Sequence, residues 1–398
     1  MWLKIEPLDV LLFRGSRPFT AGEVIRAASH FPPTPLTMVG AVRAVMLHHL
    51  GLNLNGFTGD NRLGGPDNLG PLRFRGPFLV WRDTSYGQEA LLPIPKDILV
   101  SKQPGGELYP DYLRPEEPAW PGLAVSPPSL PYQLVSRTEG VTSPEKEDEA
   151  RVYLRGSRLA AYLTRDSINQ TNQTDILKKI TVAIPEPRLG IRLTPQRTAE
   201  TGQIYMVEFT RLETGVSLVV EVTSSHDDVA SLLPKQGFLP LGGEARAAYF
   251  QRLNENEVPK PFATENTQRQ QEELQKSLVN TKRFFLYLLT PALFQSGWLP
   301  EDVEPTDCTW HLGGLTGTLV AAAVDKAEPC GGWNLASQTP RRLRRAVPAG
   351  SVYFFELDKA LDEQGARILV KKYHLQTIMT HYSFQAAAGF GLAAVGTW

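Results

Sequence analysis

Arg43 is a charge placed where a charge is out of place. Residues 36–50 (LTMVGAVRAVMLHHL) read as a helix. At ~100° per residue, Leu36, Val39, Met46, Leu47 and Leu50 share one face, with Val42 at its edge. Arg43 falls between Val39 and Leu47, inside that apolar arc. Arginine is rarely buried without a partner, and a buried charge left uncompensated is strongly destabilising. Its counter-ion is therefore either a carboxylate, with Asp9 and Glu23 as candidates, or a phosphate near the helix start, where backbone N–H groups and the helix dipole favour an anion. Gly40, one turn earlier, permits a close backbone approach, and Thr34 or Thr37 is placed to cap the helix.

Other arginines suit the same chemistry, because guanidinium forks match phosphate geometry. Arg14 and Arg17 lie in the glycine-containing loop FRGSRPFTAGE, with Arg26 just beyond it. Arg341, Arg342, Arg344 and Arg345 form the densest basic run. A solvated loop or charge run is the plainer reading of each set. Arg151, Arg155 and Arg158 follow the acidic run 145–149, whose carboxylates offset their field. The chain ends in Gly389-Phe390-Gly391-Leu392-Ala393-Ala394, formally a GxGxxA, but four residues remain after it and no helix can follow. A glycine loop of this kind suits close approach to a phosphate backbone. Phe13, Phe19 and Phe31, near the arginines, read either as stacking surfaces or as core.

Catalytic signatures are missing from the sequence: no GxSxG, HExxH or GxxxxGK[ST] occurs. The seven histidines do not form metal-spaced sets. His48 and His49 face outward, and His30 is the one histidine near the arginine loop and so the one candidate general base. No cofactor is expected. Cys308 and Cys330 are the only cysteines, which excludes a disulfide framework and suits reduced thiols in a cytoplasmic protein.

The elements that must position these residues follow from composition and periodicity. The 398 residues are 42% hydrophobic and 21% charged, with a formal net charge of −1. That fits a folded, soluble chain of two or three domains and excludes a protein that coats nucleic acid by global charge. The 33 glycines and 32 prolines exceed the usual share of ~12% and predict a loop-rich architecture. No apolar run approaches membrane-spanning length, and no signal peptide is expected. Residues 2–13 read as a strand whose facing parity switches at Pro7, a mark of a bulge or edge. Residues 51–70 read as loop and 72–95 as a hairpin. Further strands are expected at 203–211, 216–222, 245–253, 284–289, 315–324, 351–357 and 391–395, with helices at 227–233 and near 368–381. The pattern predicts an α+β protein of two domains, at 1–255 and 282–398. An irregular insertion is expected at about 100–180, and a polar linker at 256–281. The order β-α-β-β-α-β can be laid over each half, the ferredoxin-like split βαβ pattern.

Seven segments, taken in order, resemble a known family: EPLDVLLFRGSRPFTAGE (6–23), FPPTPLTMVGAVRAVM (31–46), RLGIRLTPQRTAETGQIYMVEF (188–209), LPLGGEARAAYF (239–250), GGWN (331–334), AVPAGSVYFFE (346–356) and GFGLAAVGTW (389–398). They resemble the third subunits of the Cmr complex, the type III-B CRISPR RNA-guided effector, within the RAMP superfamily. The resemblance implies two tandem ferredoxin-like RAMP domains with long loop insertions and a non-catalytic role in antiviral defence. It implies that the chain holds the 5′ handle of the CRISPR RNA, docks the large polymerase-like subunit and abuts the first RAMP backbone subunit, with target RNA nearby. Carried over position by position, the handle site falls on Arg14, Arg17, Thr37, Gly40, Arg43, Gly389 and Gly391. Two alternatives stay open: a RAMP-type endoribonuclease that processes repeat RNA, and a scaffold touching protein only.

Overall fold

The computed structural model describes the chain apart from residues 15–25, 28, 54–56, 84–86, 103–107, 119–129, 137–151, 166–175, 227 and 245. It divides into two compact units, and each is assembled from three stretches of sequence. The first comprises Met1–Asp83, Thr181–Asn254 and Pro329–Arg344; the second comprises Thr84–Ile180, Glu255–Glu328 and Arg345–Trp398. The chain passes from the first unit to the second after Asn254, and residues 84–180 and 329–344 each belong to the opposite unit from the one their position in the chain suggests.

The first unit is built from β1 (Trp2–Pro7), α1 (Pro35–His49), β2 (Leu72–Asp83), β3 (Ala183–Leu193), β4 (Ala199–Leu212), β5 (Val216–Ser224), β6 (Gln236–Pro240) and β7 (Ala247–Arg252). Its main sheet runs β2-β5-β1-β7-β6, with antiparallel neighbours throughout. Leu3 and Ile5 alternate onto one face and are fully buried, as period-two patterning requires. Helix α1 packs on β2 and β6. The parity switch at Pro7 is a change of partner rather than a bulge. The strand stops at Pro7, Leu8 is exposed, and Val10 and Leu12 then cluster with Val207 and Phe209 of β4. Beside them Asp9 faces Arg211 at 3.0 Å, Arg246 at 3.5 Å and Arg188 at 3.7 Å. The expected helix at 227–233 is a single 3-10 turn, Val229–Ser231, capped by the Asp228 carboxylate. Pro234 disfavours further helix in the residue before it.

The second unit contains α2 (Thr264–Leu278), β8 (Arg283–Leu288), β9 (Leu315–Ala323), β10 (Val352–Leu357), α3 (Glu363–Tyr373) and β11 (Leu392–Thr397). The central strands run β9-β10-β8-β11, again antiparallel. The expected polar linker is largely α2. Its polar composition hides a stripe of one glutamine and two leucines, Gln270, Leu274 and Leu278, at four-residue spacing. All three are buried, and the helix packs on α3 and β11. Most of β8 is buried on both faces, the reading of a continuous apolar strand.

The late part of the expected irregular insertion is core of this second unit. Gly87–Pro93, Val152–Arg155 and Leu177–Lys179 pair as antiparallel strands. The short helix Leu159–Thr164 lies on β11. Tyr162 meets Phe285 and Tyr287 edge-on, with centroids 5.4 and 5.3 Å apart. Its hydroxyl donates to the fully buried Asp97 at 2.8 Å. Arg165 binds the other Asp97 oxygen at 2.5 Å and lies over the rings of Phe285, Tyr162 and Tyr112. Arg155 is likewise taken by Glu89, at 3.2 Å. Burial first, then the Asp97 charge, pushes the Tyr162 hydroxyl well above its ordinary pKa.

The chain is therefore a sheet-dominated mixture of α and β. The second sheet runs second-third-first-fourth by chain position, and the first follows the same order in β2-β5-β1-β7 once its edge strand β6 is set aside, which is compatible with the split βαβ pattern. Neither unit is a complete βαββαβ among the described residues. The first has a 3-10 turn in place of its second helix, and the second has no helix between β8 and β9.

Two stability predictions follow from the second unit's core. Asp97→Ala strands the Arg165 charge and should cost about 3–5 kcal/mol in urea unfolding, whereas the double change Asp97→Leu with Arg165→Met should recover most of it. His374 is fully buried, neither ring nitrogen has a hydrogen-bond partner among the described residues, and burial pushes its pKa down to about 3. The unfolded chain therefore binds a proton below ~6.5 that the folded chain refuses. Its contribution to stability is intact above that pH and falls by about 1.4 kcal/mol per pH unit as acid is added, down to the folded value. Comparing unfolding of wild type and His374→Leu across pH 4–8 checks this: their difference should be constant above ~6.5 and shift in favour of the variant below it.

Candidate nucleic-acid interface

Helix α1 starts after Phe31-Pro32-Pro33-Thr34-Pro35, where proline stiffens the approach and occupies the first turn without losing a hydrogen bond. Thr34 is the extended N-cap residue, but its side chain does not cap; its hydroxyl lies 3.2 Å from that of Thr37. The buried stripe of α1 is Met38, Val39, Ala41, Val42, Met46 and Leu47. It is rotated from the expected face, so Arg43 stands on its flank rather than at its centre. Thr37, Gly40 and Arg43, three residues apart, follow one another along the helix. A Cβ built on Gly40 meets nothing within 4 Å. Glycine inside a helix costs about 0.5–1 kcal/mol relative to alanine, and no packing among the described residues calls for it there.

Arg43 reaches the loop that precedes β2. Its Nη2 donates to the Gly65 carbonyl oxygen at 2.8 Å, while its Nε is buried without a hydrogen-bond partner. Among the described residues no carboxylate forms an ion pair with it; Asp9 is engaged elsewhere, and Glu23 lies outside the described residues. Burial, then the nearby positive charge of Arg341, holds its pKa down to about 10. The guanidinium therefore remains charged at neutral pH, next to a second cation.

The Gly/Asn/Asp-rich stretch expected as a plain loop is an ordered scaffold for both arginines. Asp60 and Gly64 exchange backbone hydrogen bonds at 2.9 and 2.8 Å. The Asn68 side-chain oxygen accepts from the Gly65 and Gly70 amides at 3.1 and 3.2 Å. Gly64 has φ +72°, and a Cβ there would collide with the backbone of 68–70. This winding aligns three consecutive acceptors. Gly65 takes Arg43, the Pro66 carbonyl takes Arg341 Nη2 at 2.7 Å, and Asp67 takes Arg341 Nη1 at 2.7 Å. The pair thus shares one short loop, whose two carboxylates are already used, Asp60 by Arg62 and Asp67 by Arg341.

The other expected site residues are placed differently. Arg14 is exposed, and its backbone bridges to Ser29. Arg17 and Phe19 lie outside the described residues. The Arg26 backbone pairs in parallel with Met206, and its side chain is outside the description. His30 is exposed, Phe13 is buried, and Phe31 is half-buried, 6.3 Å from the Phe13 ring. The run 341–345 is not one patch. Arg341 is turned onto Asp67 and Pro66, Arg342 is exposed, Arg344 is half-buried at the end of the first unit, and Arg345 is exposed at the start of a second-unit segment.

The terminal glycine loop corrects the expectation that it approaches a phosphate backbone. Gly389, Phe390 and Gly391 are all buried within the second unit. The Thr290 hydroxyl donates to the Gly389 carbonyl at 2.7 Å, and the Gly391 amide donates to Pro291 at 2.8 Å. Gly391 has φ +68°, and a Cβ there would strike the Met379 side chain. The close approach that glycine permits is used by a core methionine, and Phe390 packs inside where it cannot stack on a base.

Sequence reasoning missed the 57–71 scaffold and Asp67, because their role depends on which carbonyls the winding exposes. Gly64-Gly65-Pro66-Asp67 was the available turn signal. Among the described residues no cluster of three or more His, Cys, Asp or Glu could hold a metal, and no helix is long and apolar enough to cross a membrane.

Comparison with known proteins completes the site's context. No curated protein matches the chain. Among solved structures it is similar to a chain of the type III-B Cmr-beta complex bound to cognate target RNA, at 15% identity and TM-score 0.48, covering 89% of this chain and 86% of that one. A second structure of that complex, with target RNA and AMPPnP, gives 16% and 0.44 over the same shares. A chain of the Csm3-Csm4 subcomplex of the type III-A interference complex gives 10% and 0.34, covering 91% and 94%. The sequence itself is more decisive than these distant likenesses: the model of the CRISPR-associated Cas_Cmr3 family matches residues 3–398, and the chain belongs to that family.

Proposed function

We propose that this chain is the non-catalytic subunit of a cytoplasmic type III-B CRISPR RNA-guided effector that holds the 5′ handle of the guide RNA. In this reading it docks the large polymerase-like subunit and abuts a RAMP backbone subunit, with target RNA passing nearby. Each unit is read as a RAMP-type ferredoxin-like domain reduced by one helix. The observation that carries the proposal is Arg43: a charged guanidinium with a buried, unpartnered Nε, no ion-paired carboxylate among the described residues, and Arg341 beside it. Leaving a buried donor unsatisfied costs about 1–3 kcal/mol, and an acceptor from outside removes that cost. An RNA phosphate supplies both the acceptor and the negative charge. Gly40, on the same helix and with nothing among the described residues within 4 Å of where its Cβ would be, lets a sugar-phosphate backbone pass close to α1. A local clamp of this kind suits single-stranded RNA recognition by a protein of net charge −1.

Arg43→Met, made in the assembled complex, separates the clamp from a structural role. Thermal stability should hold or rise, because a desolvated charge is removed. Affinity for RNA carrying the 5′ handle should fall, and the slope of log K against log salt should flatten by about 0.7 for the lost phosphate contact. Unchanged affinity and slope together with lost stability would contradict the proposal. The endoribonuclease alternative rests on His30. Repeat RNA incubated with the protein without metal should stay intact; cleavage that His30→Ala abolishes would replace a binding role with a catalytic one.

A further inference from the structure

The 329–344 stretch of the first unit carries an element that the handle site as described does not use. Trp333–Asn334 pairs with Thr339–Pro340 to form a small antiparallel arm. Trp333 is 54% exposed, whereas the other described tryptophans are buried or half-buried. A large aromatic left in water forgoes a substantial burial gain, so its place at the surface calls for an explanation. The arm is not a loose loop. The Asn334 side-chain oxygen accepts from the Ala336 and Ser337 amides at 3.1 and 3.4 Å, and its Nδ2 donates to Asp67 at 3.4 Å. Pro340, opposite Trp333, offers no amide, so the ladder cannot be extended there.

The arm is also joined to the arginine pair. The Arg341 amide donates to the Gly332 carbonyl at 2.9 Å, next to Trp333, while its side chain holds Pro66 and Asp67. Arg43 holds Gly65, one residue away. A continuous path of hydrogen bonds and covalent links thus runs from the unpartnered Arg43 donor to the exposed indole. The stretch 329–344 contains Arg341, Arg342 and Arg344 and no acidic residue. That charge complements a polyanion, and every nucleobase has a face that can stack on an indole.

We propose that Trp333 is a stacking platform for one unpaired base of the strand whose phosphate is held at Arg43. Arg342, exposed two residues beyond the arm, adds positive charge for the strand's phosphates. The inference rests on the reading of Arg43 as a phosphate site and adds to it a residue that fixes the position of a base.

The test uses the assembled complex and handle RNA with abasic sites introduced one position at a time. Trp333→Ala should weaken binding of intact RNA by roughly five- to a hundredfold, the range for loss of one stacked base. Trp333→Phe should retain most of the affinity. At one abasic position, and not at the others, the Trp333→Ala loss should vanish, because the base that stacked is already absent. Equal losses at all positions, or unchanged affinity for intact RNA, would overturn the platform. So would a Trp333→Ala complex that fails to assemble while Trp333→Phe assembles, since the indole would then be a contact for a protein subunit. Failure of the underlying reading shows separately: Arg43→Met would then leave affinity unchanged, whatever Trp333 does.

Discussion

A half-buried guanidinium that meets no carboxylate among the described residues is the unbalanced interaction of the first unit on which the rest depends. Protein interiors tolerate such a charge when hydrogen bonds and a counter-ion replace its hydration. Here α1 supplies the position and the 57–71 loop supplies one carbonyl, but the chain supplies no paired carboxylate among the described residues. Arg341 adds to the imbalance, since its positive charge lies close enough to lower the Arg43 pKa. The same loop that would be expected to neutralise the arginines instead aligns them. A site of this kind is complementary to an anion that arrives from outside.

The second unit handles charge in the opposite way. Asp97 and Arg165 meet each other within the chain, ringed by Tyr112, Tyr162 and Phe285. Glu89 similarly takes Arg155 and the Ser157 amide and hydroxyl. The charges of these groups are paired within the chain, although Arg165 Nη1 is left without a hydrogen-bond partner, and the Glu89–Arg155 pair joins strands from distant parts of the sequence. The contrast lies in the charge: Arg165 and Arg246 also bury an unpartnered nitrogen, but each meets a carboxylate, whereas Arg43 meets none among the described residues.

Much of the framework was legible because it depends on local periodicity. Helix α1 and the strands β5, β8, β9, β10 and β11 lie close to where hydrophobic alternation and helical spacing placed them, and β1 does so as far as Pro7. What could not be read were features decided by tertiary partners. The Leu274 and Leu278 stripe of α2 was diluted by thirteen other residues of mostly polar type, so the helix looked like a linker. The parity switch at Pro7 marked a move from one β-partner to another, which no single-strand pattern encodes. Gly389 and Gly391 had the composition of a phosphate loop, but only the position of Met379 shows that the space at Gly391 is filled from within. At the site, Arg43 was visible as a conflict between residue type and helical face, whereas its acceptor, its cationic neighbour and the arm with Trp333 lie at distant points in the sequence.

The central claim is that the counter-ion of Arg43 belongs to a bound RNA strand. A cryo-EM map of the assembled effector with its guide, resolved well enough to place phosphates, tests it most directly. The account predicts a phosphate of the guide's 5′ segment hydrogen-bonded to the Arg43 guanidinium. It is contradicted if that side chain is satisfied by a protein carboxylate while the leading nucleotides of the guide follow another path.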